Sequence, residues 1–223
     1  MSLQLDFPAV MERWPSFLAG AALTLELAFF ATVLGALIGT LAAVGRGSRS
    51  SLIAGACKVY VEAIRNTPLL VQIFLVYFGL LKFSAFTVAV AALTINVGAY
   101  TAEIMRAGFE AIPRGQIEAA EGLALSRLQI YWHIILLPAV EKVYPALTSQ
   151  FVLLMLASSV CSQISAEELT AVANYIQSDT YRAFETYIIV AVLYVILSLV
   201  MRAGFWGLGL ALFPRRRRLG TPL

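Results

Sequence analysis

The chain has 223 residues, of which 60% are hydrophobic and 13% are charged, and its mean hydropathy is +0.83. Ordinary globular chains are about 45–50% apolar and about 25% charged. A soluble domain of this length could not bury so much apolar surface, and the same figures exclude a disordered chain, a collagen and a disulfide scaffold. The composition therefore indicates an integral membrane protein, and the net charge of +3 fits basic residues at a membrane surface better than a nucleic-acid site.

Five segments are long and apolar enough to cross a bilayer, for which about 20 residues are needed. They run over residues 17–44, 57–81, 85–107, 143–164 and 183–211. The alternation typical of transmembrane barrels is absent from the sequence. We therefore predict an all-α fold, a single transmembrane domain over 1–223 with five transmembrane helices.

Lys and Arg are concentrated after the first span, between the third and fourth spans, and in the C-terminal tail. The intervening connections have few basic residues and several acidic ones. This bias predicts an N-terminus outside and a C-terminus in the cytoplasm, N-out/C-in. The run Arg215–Arg218 is expected to anchor the tail to anionic lipid, although a protein partner is an alternative.

Small residues recur every four positions in the first span, at Ala31, Gly35, Gly39 and Ala43. Such a stripe allows another helix to approach closely. The composition of membrane helices, which are rich in Gly and Ala, explains the same residues equally well. Both interpretations stay open from the sequence.

The connection over 108–142 is too long for a simple turn, and connections of this length are usually functional or disordered. Helix-forming residues dominate it, and apolar residues recur at helical spacing after Pro113. We expect two short helices at the membrane surface, ended by Pro138. They could lie on lipid, but Glu118 and Glu121 are not the basic face that anionic lipid attracts, which favours docking to a protein.

The run EAAEGLALSRLQIYWHIILLP at 118–138 resembles the EAA loop of permease subunits in ATP-binding-cassette importers. RNTPLLVQ at 65–72 and AYTAEIMRAGFEAIPRGQIEAA at 99–120 are similar to segments of the polar amino acid permeases of that class. The resemblance covers roughly 18–210. It implies a type I ABC importer permease fold in which 108–142 is the cytoplasmic coupling loop.

Two departures from the family pattern lie in this loop. The family usually has Gly six positions after the first Glu, where this chain has Ala124, with Gly122 two residues earlier. The spacing from that Glu to Pro138 is one residue longer than usual. The resemblance assigns ATPase coupling to Glu118, Ala119, Ala120, Gly122 and Ala124.

The resemblance implies a subunit that translocates polar or charged amino acids across the bacterial cytoplasmic membrane as a multi-pass protein. The implied partners are a second permease subunit, two ABC ATPase subunits, an external solute-binding protein, the amino acid and membrane lipid. One five-helix chain cannot enclose a path alone, and the altered loop favours a paralogue over an identical copy. The chain itself is expected to be non-catalytic and without a cofactor, because it has no GxxxxGK[ST] stretch for ATP.

Polar residues within the apolar segments are costly and indicate a path, a ligand or an internal pair. The predicted substrate pathway consists of Arg65, Gln72, Asn96, Tyr100, Glu103, Gln150 and Ser158. For the charges, internal pairs such as Glu62–Arg65 and Glu103–Arg106 are an equal alternative. If the pathway interpretation holds, the second, third and fourth spans, each with one polar side, could surround a water-filled route.

Two other functional classes compete with an ABC permease. An ion-coupled secondary amino acid transporter would show an internal inverted repeat, which we do not find. A membrane-embedded enzyme would show a nucleophile or metal set, but the chain lacks HExxH and GxSxG and has one histidine, His133. No metal site and no nucleic-acid partner are expected.

Overall fold

Ten α-helices account for most of residues 5–213, the part of the chain that this computed structural model describes. The helices are α1 Phe7–Met11, α2 Trp14–Arg46, α3 Ser51–Arg65, α4 Leu69–Gly79, α5 Ala85–Glu110, α6 Arg114–Gly122, α7 Arg127–Gln129, α8 Leu137–Ala157, α9 Leu169–Thr180 and α10 Ala183–Leu212. A π-helical turn, Ile130–Leu136, joins α7 to α8, and a 3₁₀ turn, Ser158–Ile164, follows α8. The run Arg215–Arg218 lies outside the described residues.

Four stretches in the described residues are single helices long and apolar enough to span a membrane: α2, α5, the run from Arg127 to Ile164, and α10. A fifth span exists if α3 and α4 are counted together. These two helices are bent by 113° relative to each other, so the predicted second segment, 57–81, is not one continuous helix. The bend falls at Thr67 and Pro68, since a proline disfavours helical backbone at the residue before it and has no N–H to continue the helix.

The small-residue stripe of the first span packs α2 against α5. A Cβ added at Gly35 would collide with the side chain of Val97, and one at Gly39 would lie 2.5 Å from the carbonyl oxygen of Gly98. Because real Cβ atoms do not approach that closely, both positions need glycine for the two helices to touch. The close-approach interpretation of the stripe is therefore confirmed, with a helix of the same chain as the neighbour.

The apolar core is centred on α5, whose residues are buried on nearly all sides of the helix. Leu27 from α2, Ile73 from α4 and Leu154 from α8 pack around it. A second, smaller core joins α2, α9 and α10 around Phe17 and Leu169. Polar side chains carried by α5 are consequently held in fixed positions between several neighbouring helices.

The connection between α5 and α8 consists of α6, a short turn, and a second helical stretch, as the sequence predicts. The expected end of that stretch at Pro138 is wrong, because the helix runs on from Arg127 into α8. Pro138 lies in the first turn of α8, directly after the wide π-helical turn. Hydrogen bonds in a π-helix join residues five apart instead of four. The π-helical turn therefore changes the backbone hydrogen bonds at the point where Pro138 has no N–H to donate.

Candidate coupling loop and polar cluster

Helix α6 ends in a Schellman motif that fixes how the chain leaves it. The N–H of Leu125 donates to the carbonyl of Ala120 at 3.2 Å, and the N–H of Ala124 donates to the carbonyl of Glu121 at 2.9 Å. These two bonds satisfy carbonyls that a helix end otherwise leaves unpaired. The cap gives a defined direction to the segment that follows.

Ala124 occupies the left-handed position of this cap, with φ at 56°. Glycine is preferred there because a side chain strains left-handed backbone. This is the position at which the resembling family usually carries Gly. The departure noted from the sequence therefore leaves the cap geometry in place, at a cost in backbone strain.

The predicted coupling residues do not share one surface. Glu118, Ala119, Gly122 and Ala124 are exposed, whereas Ala120 has only 3% of its surface exposed. Ala120 packs inside its own chain, because α6 lies against the π-helical turn that follows it. The assignment of Ala120 to a contact with another subunit therefore has no support in this structure.

Two leucines of the loop that the sequence did not single out are strongly exposed. Leu123 is 77% exposed and Leu128 is 76% exposed. Their helical spacing with Ile117 and Ile135 predicts an apolar face that lies on lipid or docks to a protein. Leu123 instead lies outside α6, at its C-cap, where helical periodicity no longer predicts orientation. The leucines thus add exposed apolar side chains to the loop that carries the exposed Glu118 and Ala119.

Gln72 holds the bend between α3 and α4. Its side-chain N–H₂ donates to the carbonyls of Ile64 at 2.7 Å and Thr67 at 2.9 Å, and its amide oxygen accepts from the side chain of Asn96 at 2.9 Å. Only 5% of Gln72 and 9% of Asn96 are exposed. The sequence expectation that these residues lie together is met, and their polar atoms are used within the protein in this conformation.

Glu103 on α5 lies among three arginines from three helices. Its carboxylate bonds Arg46 of α2 at 2.6 Å, lies 3.5 Å from Arg65 of α3, and pairs with Arg106 one turn along α5. Arg106 also pairs with Glu110. We call Arg46, Arg65, Glu103, Arg106 and Glu110 the charged cluster. It has one more cation than carboxylates and joins α2, α3 and α5 at the end of the bundle that carries the coupling loop.

The internal-pair alternative is therefore half right. The Glu103–Arg106 pair is present, but in the described residues no ion pair joins Glu62 to Arg65, because Arg65 is directed towards Glu103. The guanidinium carbon of Arg65 also lies 5.6 Å from the ring centroid of Tyr100, within cation–π distance. Arg65, Tyr100 and Glu103 form one contiguous group, as the sequence pattern predicts.

The remaining two predicted pathway residues lie apart from this group. Gln150 is half-buried on α8, and no hydrogen bond in residues 5–213 joins it to Gln72 or Asn96. Ser158 is fully buried, and its hydroxyl donates to the carbonyl of Met155 at 2.7 Å. In this conformation Ser158 packs within the protein and faces no open space.

Within residues 5–213, no cluster of three or more His, Cys, Asp or Glu side chains has the geometry to hold a metal ion. His133, the histidine of the coupling loop, lies 3.2 Å from the carbonyl of Gln129 through its Nδ1 atom and is exposed. A helical membrane bundle with an exposed helical loop at one end fits the class of transport subunits that are driven by another protein.

Comparison with known proteins agrees with that class. The family described as binding-protein-dependent transport system inner membrane component matches residues 35–205. The octopine transport system permease protein of Rhizobium radiobacter is 34% identical over 220 residues, covering 92% of this chain and 90% of its own length. The glutamine transport system permease protein of Escherichia coli is 34% identical over 205 residues, covering 89% of this chain and 94% of its own.

Solved structures show the same fold. A crystal structure of an amino acid ABC transporter with histidines has a TM-score of 0.84 and 38% identity, and it covers 96% of this chain and 100% of its own. The MetNI methionine ABC transporter in an inward-facing conformation has a TM-score of 0.72 at 21% identity, covering 93% and 99%, which supports the fold alone.

This chain belongs to the family of binding-protein-dependent transport system inner membrane components. It is a permease subunit of an ABC importer with the type I permease fold, located in the inner membrane. The family resemblance predicted from the sequence is confirmed. The alternative of an ion-coupled secondary transporter is disfavoured by the same findings, since members of this family work with separate permease, ATPase and binding-protein components.

Proposed function

We propose that this subunit translocates polar or charged amino acids. The relatives named above are permeases for octopine and glutamine, and a further relative at 33% identity is the nopaline transport system permease protein of Agrobacterium fabrum. These names, together with the 38% identical amino acid transporter, support an amino acid or an amino acid derivative as the solute. Which one is selected depends on the external binding protein, a separate chain.

The proposed assembly contains a second permease subunit, two ABC ATPase subunits and an external solute-binding protein. A paralogue is favoured as the second permease, because the strained Ala124 in this loop would be complemented by a chain with the usual glycine. ATP binding and hydrolysis belong to the ATPase subunits, since this sequence has no P-loop motif. The proposed orientation is N-out/C-in, which puts α6 in the cytoplasm with those ATPases.

The observation that carries the proposal is the shape of the coupling loop. Its exposed side chains include the carboxylate of Glu118 and the apolar Leu123 and Leu128, and the Schellman cap fixes the direction in which the chain leaves α6. The helical run from Arg127 continues without interruption into α8. A displacement of the loop by an ATPase would therefore move α8 as a lever, as rigid-body gating requires.

For the pathway we propose that Arg65, Tyr100 and Glu103 face the solute, with Gln150 on the neighbouring α8. Arg65 is exposed on the single subunit and Tyr100 is half-buried, so both can be reached from a space between two permease subunits. Glu103 and Arg65 offer opposite charges to the ammonium and carboxylate of an amino acid. Gln72 and Asn96 support this group by holding the bend that positions α3.

The coupling proposal is tested with Glu118→Lys and Leu123→Asp in the complete transporter. Both variants should insert and assemble as permease, retain less ATPase on purification, and lower the ratio of amino acid imported to ATP hydrolysed. Glu12→Lys is the matched control, because Glu12 is also an exposed glutamate but lies outside the coupling loop. Wild-type ATPase retention and import in the Glu118 and Leu123 variants would overturn the docking assignment.

Orientation is tested separately with a reporter enzyme that is active only outside the cytoplasm. Fusion near residue 170 should give activity, and fusions near residue 125 or at the C-terminus should not. The reverse pattern would place the coupling loop on the wrong side of the membrane for an ATPase.

Exposure to the pathway is tested by cysteine labelling. Single cysteines at Tyr100 and Gln150, in a chain lacking Cys57 and Cys161, should react with a small water-soluble thiol reagent in a manner that depends on ATP and binding protein. A cysteine at Ser158 should stay unreactive because that position is fully buried. Equal protection at all three positions would mean that the solute passes elsewhere.

A further inference from the structure

A cleft between α8 and α10 holds an arginine that the transport proposal does not use. The cleft has a volume of about 360 Å³, and Pro145, Thr148, Ser149, Arg202 and Trp206 line it. It opens on the outside of the single subunit, and Arg202 and Trp206 are both exposed. An arginine within an apolar span is costly unless it meets an anion or water.

The cleft offers hydrogen-bond donors but no carboxylate. No residue lining it is acidic, and Arg202 has no ion pair with any residue between 5 and 213. The hydroxyl of Thr148 is occupied by the carbonyl of Pro145 at 2.9 Å. No hydrogen bond within residues 5–213 occupies the guanidinium of Arg202, the indole N–H of Trp206 or the hydroxyl of Ser149. These three donors have the chemistry that binds a phosphate.

The position of Arg202 along α10 matches the edge of the hydrocarbon. The 30 residues of α10 span about 45 Å, and a bilayer core is about 30 Å thick. Arg202 lies ten residues before the end of α10 at Leu212, or about 15 Å from that end. If α10 is centred in the bilayer, the Cα of Arg202 lies several ångströms inside the hydrocarbon core. The long arginine side chain can reach the membrane surface from that depth by bending towards water.

An exposed apolar surface continues from the cleft towards the opposite side of the membrane. Helices α8 and α10 are antiparallel, since Tyr144 contacts the ring of Phe213 and Phe151 contacts that of Phe205. Above Arg202 on the same face of α10 lie Val195 and Leu199, which are 59% and 60% exposed. The polar end of the cleft thus faces the coupling-loop side, and the apolar end faces the membrane interior.

We propose that this cleft binds an anionic phospholipid from the leaflet nearest the coupling loop. The phosphate would be held by Arg202, Ser149 and Trp206, and an acyl chain would lie along Val195 and Leu199. A polar amino acid would satisfy the donors but would leave the apolar surface uncovered, so the phospholipid fits both ends of the site. This site is separate from the proposed pathway and does not depend on the identity of the transported solute.

The test uses the complete transporter in nanodiscs of equal parts phosphatidylglycerol and phosphatidylcholine. After transfer to detergent and washing, native mass spectrometry should find phosphatidylglycerol enriched severalfold among the retained lipids. The comparison is made in a chain in which Arg215–Arg218 are replaced by Gln, so that the tail itself cannot retain anionic lipid. In that chain Arg202→Gln should abolish the enrichment, whereas Lys82→Gln, which removes an exposed cation at the other end of the bundle, should preserve it. Ser149→Ala and Trp206→Phe retain the arginine and should reduce the enrichment partly.

Three results would overturn the proposal. Retained lipid of the same composition as the nanodisc would show that the cleft has no preference for an anionic headgroup. Displacement of phosphatidylglycerol by millimolar inorganic phosphate would indicate a site for free anions. A disulfide or bismaleimide cross-link from Ser149→Cys to the second permease subunit would show that a protein, and not a lipid, covers this face.

Discussion

The side-chain amide of Asn96 donates a hydrogen bond to the amide oxygen of Gln72 across 2.9 Å, and this bond connects the central helix α5 to the bend between α3 and α4. The other end of Gln72 bonds carbonyls on the far side of the bend. One side chain of α4 therefore links α3, which carries Arg65, to α5, which carries Tyr100 and Glu103. The geometry of those three side chains depends on a residue that makes no charge interaction itself.

We predict that Gln72→Leu destabilises the protein by about 1–3 kcal/mol, because it removes the hydrogen-bond partner of the buried amide of Asn96 and the donor to the carbonyl of Thr67. Thermal unfolding in detergent should show the loss. Gln163→Leu, at an exposed position, is the control and should change little. The double variant Gln72→Leu with Asn96→Leu should lose less than the sum of the single variants, since it removes both partners of one bond. Strict additivity would contradict the proposed link.

Gly39→Ala should separate α2 from α5. The added Cβ would lie 2.5 Å from the carbonyl oxygen of Gly98, so the helices must move apart or the core must deform, at a cost of about 1–3 kcal/mol. Gly55→Ala is the matched control: it is also helical, but a Cβ there has no neighbour within 4 Å. We expect Gly55→Ala to be neutral or slightly stabilising. Equal unfolding temperatures for the two variants would be inconsistent with close packing at Gly39.

Ala124→Gly should stabilise the coupling loop by about 1 kcal/mol, because glycine adopts left-handed backbone without strain. Ala119→Gly, inside α6, should have the opposite sign and a similar size. Amide hydrogen exchange over residues 114–129 measures both effects directly. Slower exchange in the first variant and faster exchange in the second are expected, and the reverse order would show that the Schellman cap is not formed in solution.

Glu168, in the connection before α9, provides a pH-dependent test. The carboxylate is fully buried and accepts hydrogen bonds from the N–H groups of Thr170 and Ala171 and from the hydroxyl of Tyr194. Burial raises its pKa, and these hydrogen bonds oppose the shift without cancelling it. Because the folded-state pKa is higher than that of the unfolded chain, the protein binds this proton more tightly when folded.

The contribution of Glu168 to stability is therefore greatest below the ordinary pKa of a glutamate. It falls as the pH rises through the folded-state pKa, where the buried group must ionise. We expect the unfolding temperature of the native protein to fall more steeply over this range than that of Glu168→Gln, which cannot titrate. Parallel pH profiles for the two proteins would mean that Glu168 is already ionised at low pH.

The long apolar helices were predictable from the sequence because the free energy of placing a segment in lipid depends mainly on its amino-acid composition. The predicted segments 17–44, 85–107 and 183–211 differ from α2, α5 and α10 by three residues or fewer at each end. The 113° bend was not predicted, because the apolar run on both sides of Pro68 outweighed the local signal of Thr67–Pro68. The length of an apolar run indicates that a segment is stable in lipid, but it does not indicate whether the helix axis bends within that segment.

The polar group on α5 was predictable in part, for a similar reason. Helical spacing correctly predicted that Asn96, Tyr100 and Glu103 lie along one side of α5, because the number of residues per turn is a local property of an α-helix. The pairing of Arg65 with Glu103 rather than Glu62 depends on how α3 is placed against α5, which no local pattern encodes. The burial of Ala120 and the exposure of Leu123 depend in the same way on the fold of the loop.

The π-helical turn at Ile130–Leu136 has a consequence for how this loop tolerates changes in length. One residue added to an ordinary α-helix rotates everything beyond it by about 100° and shifts it by about 1.5 Å. A turn with five-residue bonding absorbs such a residue locally. The inner face of α8 can then keep its orientation around the helix axis even if the segment between Glu118 and Pro138 is one residue longer than the family pattern, as the sequence resemblance predicts. Two permease chains whose loops differ in length by one residue can then pass the same movement of an ATPase to their α8 helices. An insertion at this turn need not make the two subunits of an importer move in different directions.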